Sequence, residues 1–128
     1  MDLNQVTLPC TDYDASVRFY KLLGLTQIVD SPPRYARFET TAGTTLSIHS
    51  AGSFAESADV VIYFEAASVD REVRRLENLG LEFESAPTDQ HWLWREAYLR
   101  DPAGNLICIY HAGENRRYPP WRINEEDA

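Results

Sequence analysis

The chain has 128 residues, 44% apolar and 25% charged, which suits one domain with a real core and excludes a disordered tail, a collagen and a disulfide-stapled miniprotein. Its formal charge of −8, from 12 basic and 20 acidic residues, argues against nucleic acid and anionic membrane surfaces as partners. No apolar run approaches the ~20 residues of a membrane helix, and no basic stretch leads an apolar segment at the N-terminus. Two cysteines, Cys10 and Cys108, are too few for a disulfide framework, so a reducing cytoplasm is the expected compartment.

In chain order, residues 4–8 predict a strand, and Asp12 is the expected N-cap of a helix that runs to Leu23. Val17, Tyr20 and Leu23 share one face of that helix, and Gly24 stands where a left-handed residue ends it. Strands are expected over residues 26–29, 35–39 and 45–49, with a turn at Gly43. The pattern then recurs. Residues 60–64 predict a strand, Ser68 caps a helix to Leu79, and Val73, Leu76 and Leu79 form its apolar face before Gly80. Strands over residues 82–85, 92–99 and 106–110 follow, the last two joined by Asp101-Pro102-Ala103-Gly104-Asn105.

A shift of 56 places Val6 on Ile62, Val17 on Val73, Arg18 on Arg74 and Leu23-Gly24-Leu25 on Leu79-Gly80-Leu81. Beyond the glycine the shift becomes 61, and Arg34, Ala36, Gly43 and Ile48 fall on Arg95, Ala97, Gly104 and Ile109. The five extra residues sit at 86–90, which read as a loop insertion. The expectation is an α+β fold of two βαβββ modules, residues 3–51 and 58–111, within one domain over 1–111, followed by an extension over 112–128.

On this frame, Arg18-Phe19-Tyr20-Lys21-Leu22-Leu23-Gly24-Leu25 resembles the Phe-Tyr…Leu-Gly-Leu element of the vicinal oxygen chelate superfamily, which includes glyoxalase I, bleomycin-resistance proteins and extradiol dioxygenases. Tyr98-Leu99-Arg100-Asp101-Pro102-Ala103-Gly104-Asn105 is similar to its strand–turn–strand motif, and the resemblance covers about residues 3 to 111. It implies curved mixed sheets around a cavity with helices outside, and metal ligands on the first and last strands of the halves. Carried over by position, those ligand places hold Gln5, Ser47, Val61 and Cys108. Val61 cannot ligate, Gln5 and Ser47 are weak neutral donors, and one thiolate is not a site, so no cofactor is predicted. A divalent metal at a shifted site using His49 and Glu96 is the alternative.

Strand alternation puts Gln5 and Thr7 on one face, Tyr35 with Arg37, Ser47 with His49, Val61 with Tyr63, and Cys108 with Tyr110. The resemblance to extradiol dioxygenases turns Tyr98 toward the cavity, and Trp94 and Glu96 share its face. The expected ligand-binding set is therefore Gln5, Tyr35, Arg37, Ser47, His49, Tyr63, Trp94, Glu96, Tyr98, Cys108 and Tyr110. These aromatics could equally fill space between sheets, Glu96 could pair with Arg37, His49 could be a satisfied interior histidine, and Cys108 a small core hydrophobe. His91 and His111 are expected at exposed strand ends.

The first functional reading is a binding protein for a small organic ligand, aromatic or cationic, with Glu96 orienting a positive group and Trp94 and the tyrosines supplying stacking area. If Arg37 neutralises Glu96, neutral or anionic carbonyl compounds are expected instead. The alternative is a metal-dependent lyase or dioxygenase, with His49 and Glu96 as candidate catalytic residues. A homodimer is expected, because family members commonly pair their halves across a two-fold axis. The segment around Arg116, Arg117, Tyr118, Trp121 and Arg122 is expected as a strap on a neighbouring subunit or over a cavity mouth, and the acids at 125–127 as part of a solvated tail.

Overall fold

The structure, a computed structural model, describes residues 3–51 and 60–123, and the acidic run at 125–127 lies outside the described residues. The fold is α+β. Strand β1 (Gln5–Cys10) leads to helix α1 (Tyr13–Leu23) and strands β2 (Thr26–Ser31), β3 (Tyr35–Glu39) and β4 (Thr45–Ser50). Strand β5 (Val61–Glu65), helix α2 (Val69–Asn78) and strands β6 (Thr88–Asp89), β7 (Arg95–Arg100) and β8 (Leu106–His111) repeat the order. Two four-stranded sheets result, ordered β1-β4-β3-β2 and β5-β8-β7-β6. By contacts the chain divides into two compact units, Met1–Ile62 with Arg100–Ile107, and Tyr63–Leu99 with Cys108–Ala128.

The repeat seen in the sequence is repeated in the backbone hydrogen bonds. Asp12 and Ser68 cap their helices through side-chain oxygens that accept from the Ala15 and Arg71 amides at 3.1 and 3.3 Å. The Leu25 and Leu81 amides close the helix ends on the Tyr20 and Leu76 carbonyls. Gly24 and Gly80 hold φ of 107° and 96°, a region where a Cβ is strained although neither position is crowded. The β3–β4 and β7–β8 turns match as well, with Thr40 and Asp101 amides bonded to the Thr44 and Asn105 carbonyls.

In the first unit β1 runs parallel to β4, and β4–β3 and β3–β2 are antiparallel. Alternation buries Leu8, Cys10, Ala36, Phe38, Leu46 and Ile48 on one face with Phe19 and Tyr20 of α1. The opposite face carries Gln5, Thr7, Tyr35, Arg37, Ser47 and His49, brought level by the Thr7–Ser47, Arg37–Ser47 and Tyr35–His49 register pairs. A bulge between Gln27 and Val29 breaks the β2 register and leaves Ile28 exposed at the sheet edge.

In the second unit Val69, Val73 and Leu76 of α2 are buried, as are Ala97, Leu99 and Ile109 of the sheet. Arg95 clamps the first turn of α2 to β7 through a two-pronged contact with Asp70 at 2.9 and 3.0 Å. Two expected strands differ. Residues 82–85 make only an isolated bridge, Phe83 to Leu99, because the Ser85 hydroxyl takes the Tyr98 amide that a ladder carbonyl would accept. Pro87 then offers no amide, and pairing resumes in the two-residue β6, inside the stretch expected to be a loop. Strand β7 begins at Arg95 rather than at residue 92, because Leu93 (φ 69°) turns the chain over the Leu93–Gln90 hydrogen bond.

Candidate functional site

Each sheet presents a distinctive set of side chains on the face away from its buried apolar residues. On the first sheet the set is polar and bonded in series. The Gln5 amide donates to Ser47 Oγ at 2.8 Å and to Thr7 Oγ1 at 3.2 Å, while its carbonyl accepts from Thr45. Ser47, fully buried, lies 2.6 Å from the Tyr35 hydroxyl. Arg37 Nε donates to that same hydroxyl at 2.8 Å, with the guanidinium carbon 5.4 Å from the Tyr35 ring centre. The bond to Ser47, and then the Arg37 bond and charge, hold the Tyr35 phenol below its ordinary pKa against the opposing effect of burial. His49 follows on the same face but is exposed.

On the second sheet the set is aromatic. Trp94 and Tyr110 lie 4.8 Å apart between ring centres at 33°, and Tyr63 meets both edge-on at 5.8 and 5.3 Å. Tyr110 is buried, whereas Tyr63 is 43% exposed. The Trp94 indole N–H is anchored on the Asn115 carbonyl at 3.3 Å, and the Ala112 and Gly113 amides fix the same segment to Glu65 at 2.8 and 2.9 Å. The segment after β8 thus begins by packing on its own sheet. Further along, Arg117 and Arg122 flank the Tyr118 ring at 5.4 and 4.5 Å, and Tyr118 and Trp121 stay exposed.

Glu96 is 2% exposed, and both carboxylate oxygens are engaged: Trp92 Nε1 donates to one at 3.1 Å and the Tyr98 hydroxyl to the other at 2.9 Å. The carboxylate expected to orient a positive ligand group therefore holds two aromatic side chains of its own unit. Trp92 was not among the expected site residues, although its even spacing from Trp94 and Glu96 was a readable signal. Burial first, and then the bond to Glu96, push the Tyr98 phenol well up. Cys108 is fully buried; burial and the Glu96 charge push its thiol up to about 12. Cys10 is also raised, by burial and then by Asp101 and Asp12. Neither thiol is poised as a nucleophile. Both are expected to resist Ellman's reagent at pH 8 in the native protein and to react within the dead time once unfolded; fast native reaction of either would contradict this burial.

The donor set does not fit the metal centre that the superfamily resemblance implies. Gln5 and Ser47 bond to one another, Val61 has no donor, and Cys108 is a protonated buried thiol. Among the described residues no group of three His, Cys, Asp or Glu side chains could hold a metal ion. For the alternative pair, His49 is exposed and the Glu96 oxygens are already engaged.

The two motifs that carry the resemblance meet inside the first unit. The Tyr20 hydroxyl donates to Asp101 at 2.6 Å, and the same carboxylate accepts from the Ala103 and Asn105 amides and from Asn105 Nδ2, at 3.0, 2.8 and 2.8 Å. Asn105 Nδ2 also reaches the Pro9 carbonyl at 3.0 Å. These motif residues are structural: they pin the β7–β8 turn to α1 and β1.

This frame is shared. Residues 2–109 match the Glyoxalase/Bleomycin resistance protein/Dioxygenase superfamily, and the chain belongs to it. The uncharacterized protein YraH of Bacillus subtilis (strain 168) is 31% identical over 126 residues, covering 86% of this chain and 98% of YraH. A glyoxalase/bleomycin resistance protein/dioxygenase from Nocardioides has the same fold, with a TM-score of 0.79 and 24% identity over 97% of this chain and 90% of that one. A bleomycin-binding protein solved with bleomycin superposes with a TM-score of 0.71 at 19% identity, over 87% of this chain and 98% of its own. No helix among the described residues is long and apolar enough to cross a membrane.

Proposed function

We propose that this protein binds small organic molecules on the aromatic face of its second sheet and does so without a metal ion. The observation that carries the reading is the Tyr63–Trp94–Tyr110 group, where a 43%-exposed tyrosine stands edge-on to a closely spaced, tilted tryptophan–tyrosine pair. Such rings offer large, rigid contact area at low entropic cost, and each aromatic contact adds about 1 kcal/mol beyond burial. Membership of the superfamily and the bleomycin complex of a structural neighbour support it.

The test uses 1-naphthalenemethanol. It should quench tryptophan emission saturably and bind by calorimetry, with affinity unchanged after EDTA. Trp94→Ala should weaken it roughly tenfold or more, as loss of one stacking and one edge contact requires. Unaltered affinity in that variant would remove the aromatic face from the reading, and loss of binding on EDTA treatment would show that a metal takes part.

A further inference from the structure

We propose that the polar face of the first sheet carries a receptor for a carboxylate, with Arg37 and Tyr35 as its donors. Ser47 accepts from the Gln5 amide, and its only other partner among the described residues is the Tyr35 oxygen. A fully buried hydroxyl seeks an acceptor for its proton, so Ser47 donates to Tyr35. Arg37 Nε also donates to Tyr35. Both lone pairs of the phenol oxygen are then occupied, and its proton has no acceptor among the described residues.

Arg37 is in the same condition. It uses Nε alone, leaving the N–H bonds of both terminal nitrogens, and among the described residues no carboxylate pairs with it. The Cα atoms of Tyr35 and Arg37 lie about 7 Å apart on one strand, and their side chains share its face. The pair presents a guanidinium edge and a phenol O–H with their own acceptor capacity spent or absent. A planar oxyanion satisfies both, and the forked guanidinium matches a carboxylate best. The lowered phenol pKa agrees, since a more acidic O–H is a stronger donor.

The repeat sharpens the point. A shift of 61 carries Tyr35 onto Glu96 and Arg37 onto Tyr98. There the tyrosine gives its proton to the neighbouring glutamate. The same two positions therefore hold a tyrosine with a proton to give in one module and a tyrosine that has given it in the other.

This inference goes beyond the small-molecule reading above, which concerns the other sheet, and one matched series separates the two. Calorimetry is run with 1-naphthoate, 1-naphthalenemethanol and 1-naphthylmethylammonium, equal in shape and different in charge. Naphthoate should bind about tenfold or more tightly than the alcohol, and the ammonium no better than it. Arg37→Gln should bring naphthoate down to the alcohol without changing the alcohol itself. Tyr35→Phe should cost naphthoate about threefold to tenfold, and Arg37→Lys, which keeps the charge and loses the fork, should fall between wild type and Arg37→Gln. Naphthoate binding no tighter than the alcohol, or an advantage that survives Arg37→Gln, would overturn the receptor while leaving the small-molecule reading in place. If none of the three binds, both fall.

Discussion

Replacing Asp101 by alanine is expected to lower the unfolding free energy by about 3–5 kcal/mol, because it takes a buried carboxylate away from the hydroxyl, backbone and amide donors that it satisfies. Asp101 is 4% exposed and accepts from Tyr20, from two backbone amides and from Asn105. Tyr20→Phe removes one of those donors and should cost about 1.5–3 kcal/mol, the range for hydrogen bonds to charged groups. The double variant should show a coupling energy of about 1–3 kcal/mol in urea denaturation, since the two groups share a bond. Additive losses would mean that the contact carries no energy. The pH dependence has a definite sign. Burial, and then the Asp101 charge, raise the Tyr20 phenol above its unfolded value. The neutral phenol thus stabilises the fold fully below pH ~10, and that contribution is lost as pH rises through the folded pKa. Tyr20→Phe should flatten the alkaline arm of the stability curve.

Glu96→Ala is expected to cost about 2–4 kcal/mol, by leaving the Trp92 indole and Tyr98 hydroxyl without their acceptor and opening a cavity beside Cys108. Glu96→Gln, equal in volume, can still accept from one donor and should lose less. Two readouts identify the cause. Trp92 is held by this bond, so its emission should shift and broaden in Glu96→Ala. The Cys108 thiol, raised first by burial and then by Glu96, should stay well above its ordinary value in Glu96→Gln with only part of the shift removed. If Glu96→Gln matched or exceeded Glu96→Ala in its loss, the charge of Glu96 rather than its acceptor geometry would be what the site needs.

The two modules were legible because their punctuation is local. A cap such as Asp12 or Ser68 bonds an amide three residues away, and Gly24 and Gly80 supply a positive φ, so a single sequence displays them without knowing the fold. Side-chain alternation is equally local: it sets Ala36 and Phe38 opposite Tyr35 and Arg37, and Ala97 and Leu99 opposite Glu96 and Tyr98, and all four apolar residues are buried. The strand expected at 82–85 shows where such reasoning stops. Its alternation is regular, but a strand exists only if its neighbour's amides find carbonyls, and Ser85 intercepts one of them.

The sequence alone settled the α+β class, the duplicated order of elements and the residues sharing each face of the first sheet, since these follow from caps, turns and a period of two. What the side chains on those faces do was decided by tertiary structure. Tyr35 and Tyr98 are both tyrosines on third strands of their modules, yet one receives a hydrogen bond from Arg37 and shares one with Ser47 while the other donates to Glu96. Glu96 looked like an anchor for a cation until Trp92, carried over it by the turn at Leu93, took one of its oxygens. Hydrogen-bond polarity depends on which atoms the strand register and turns bring within about 3 Å, and that distance is fixed only when the chain is folded.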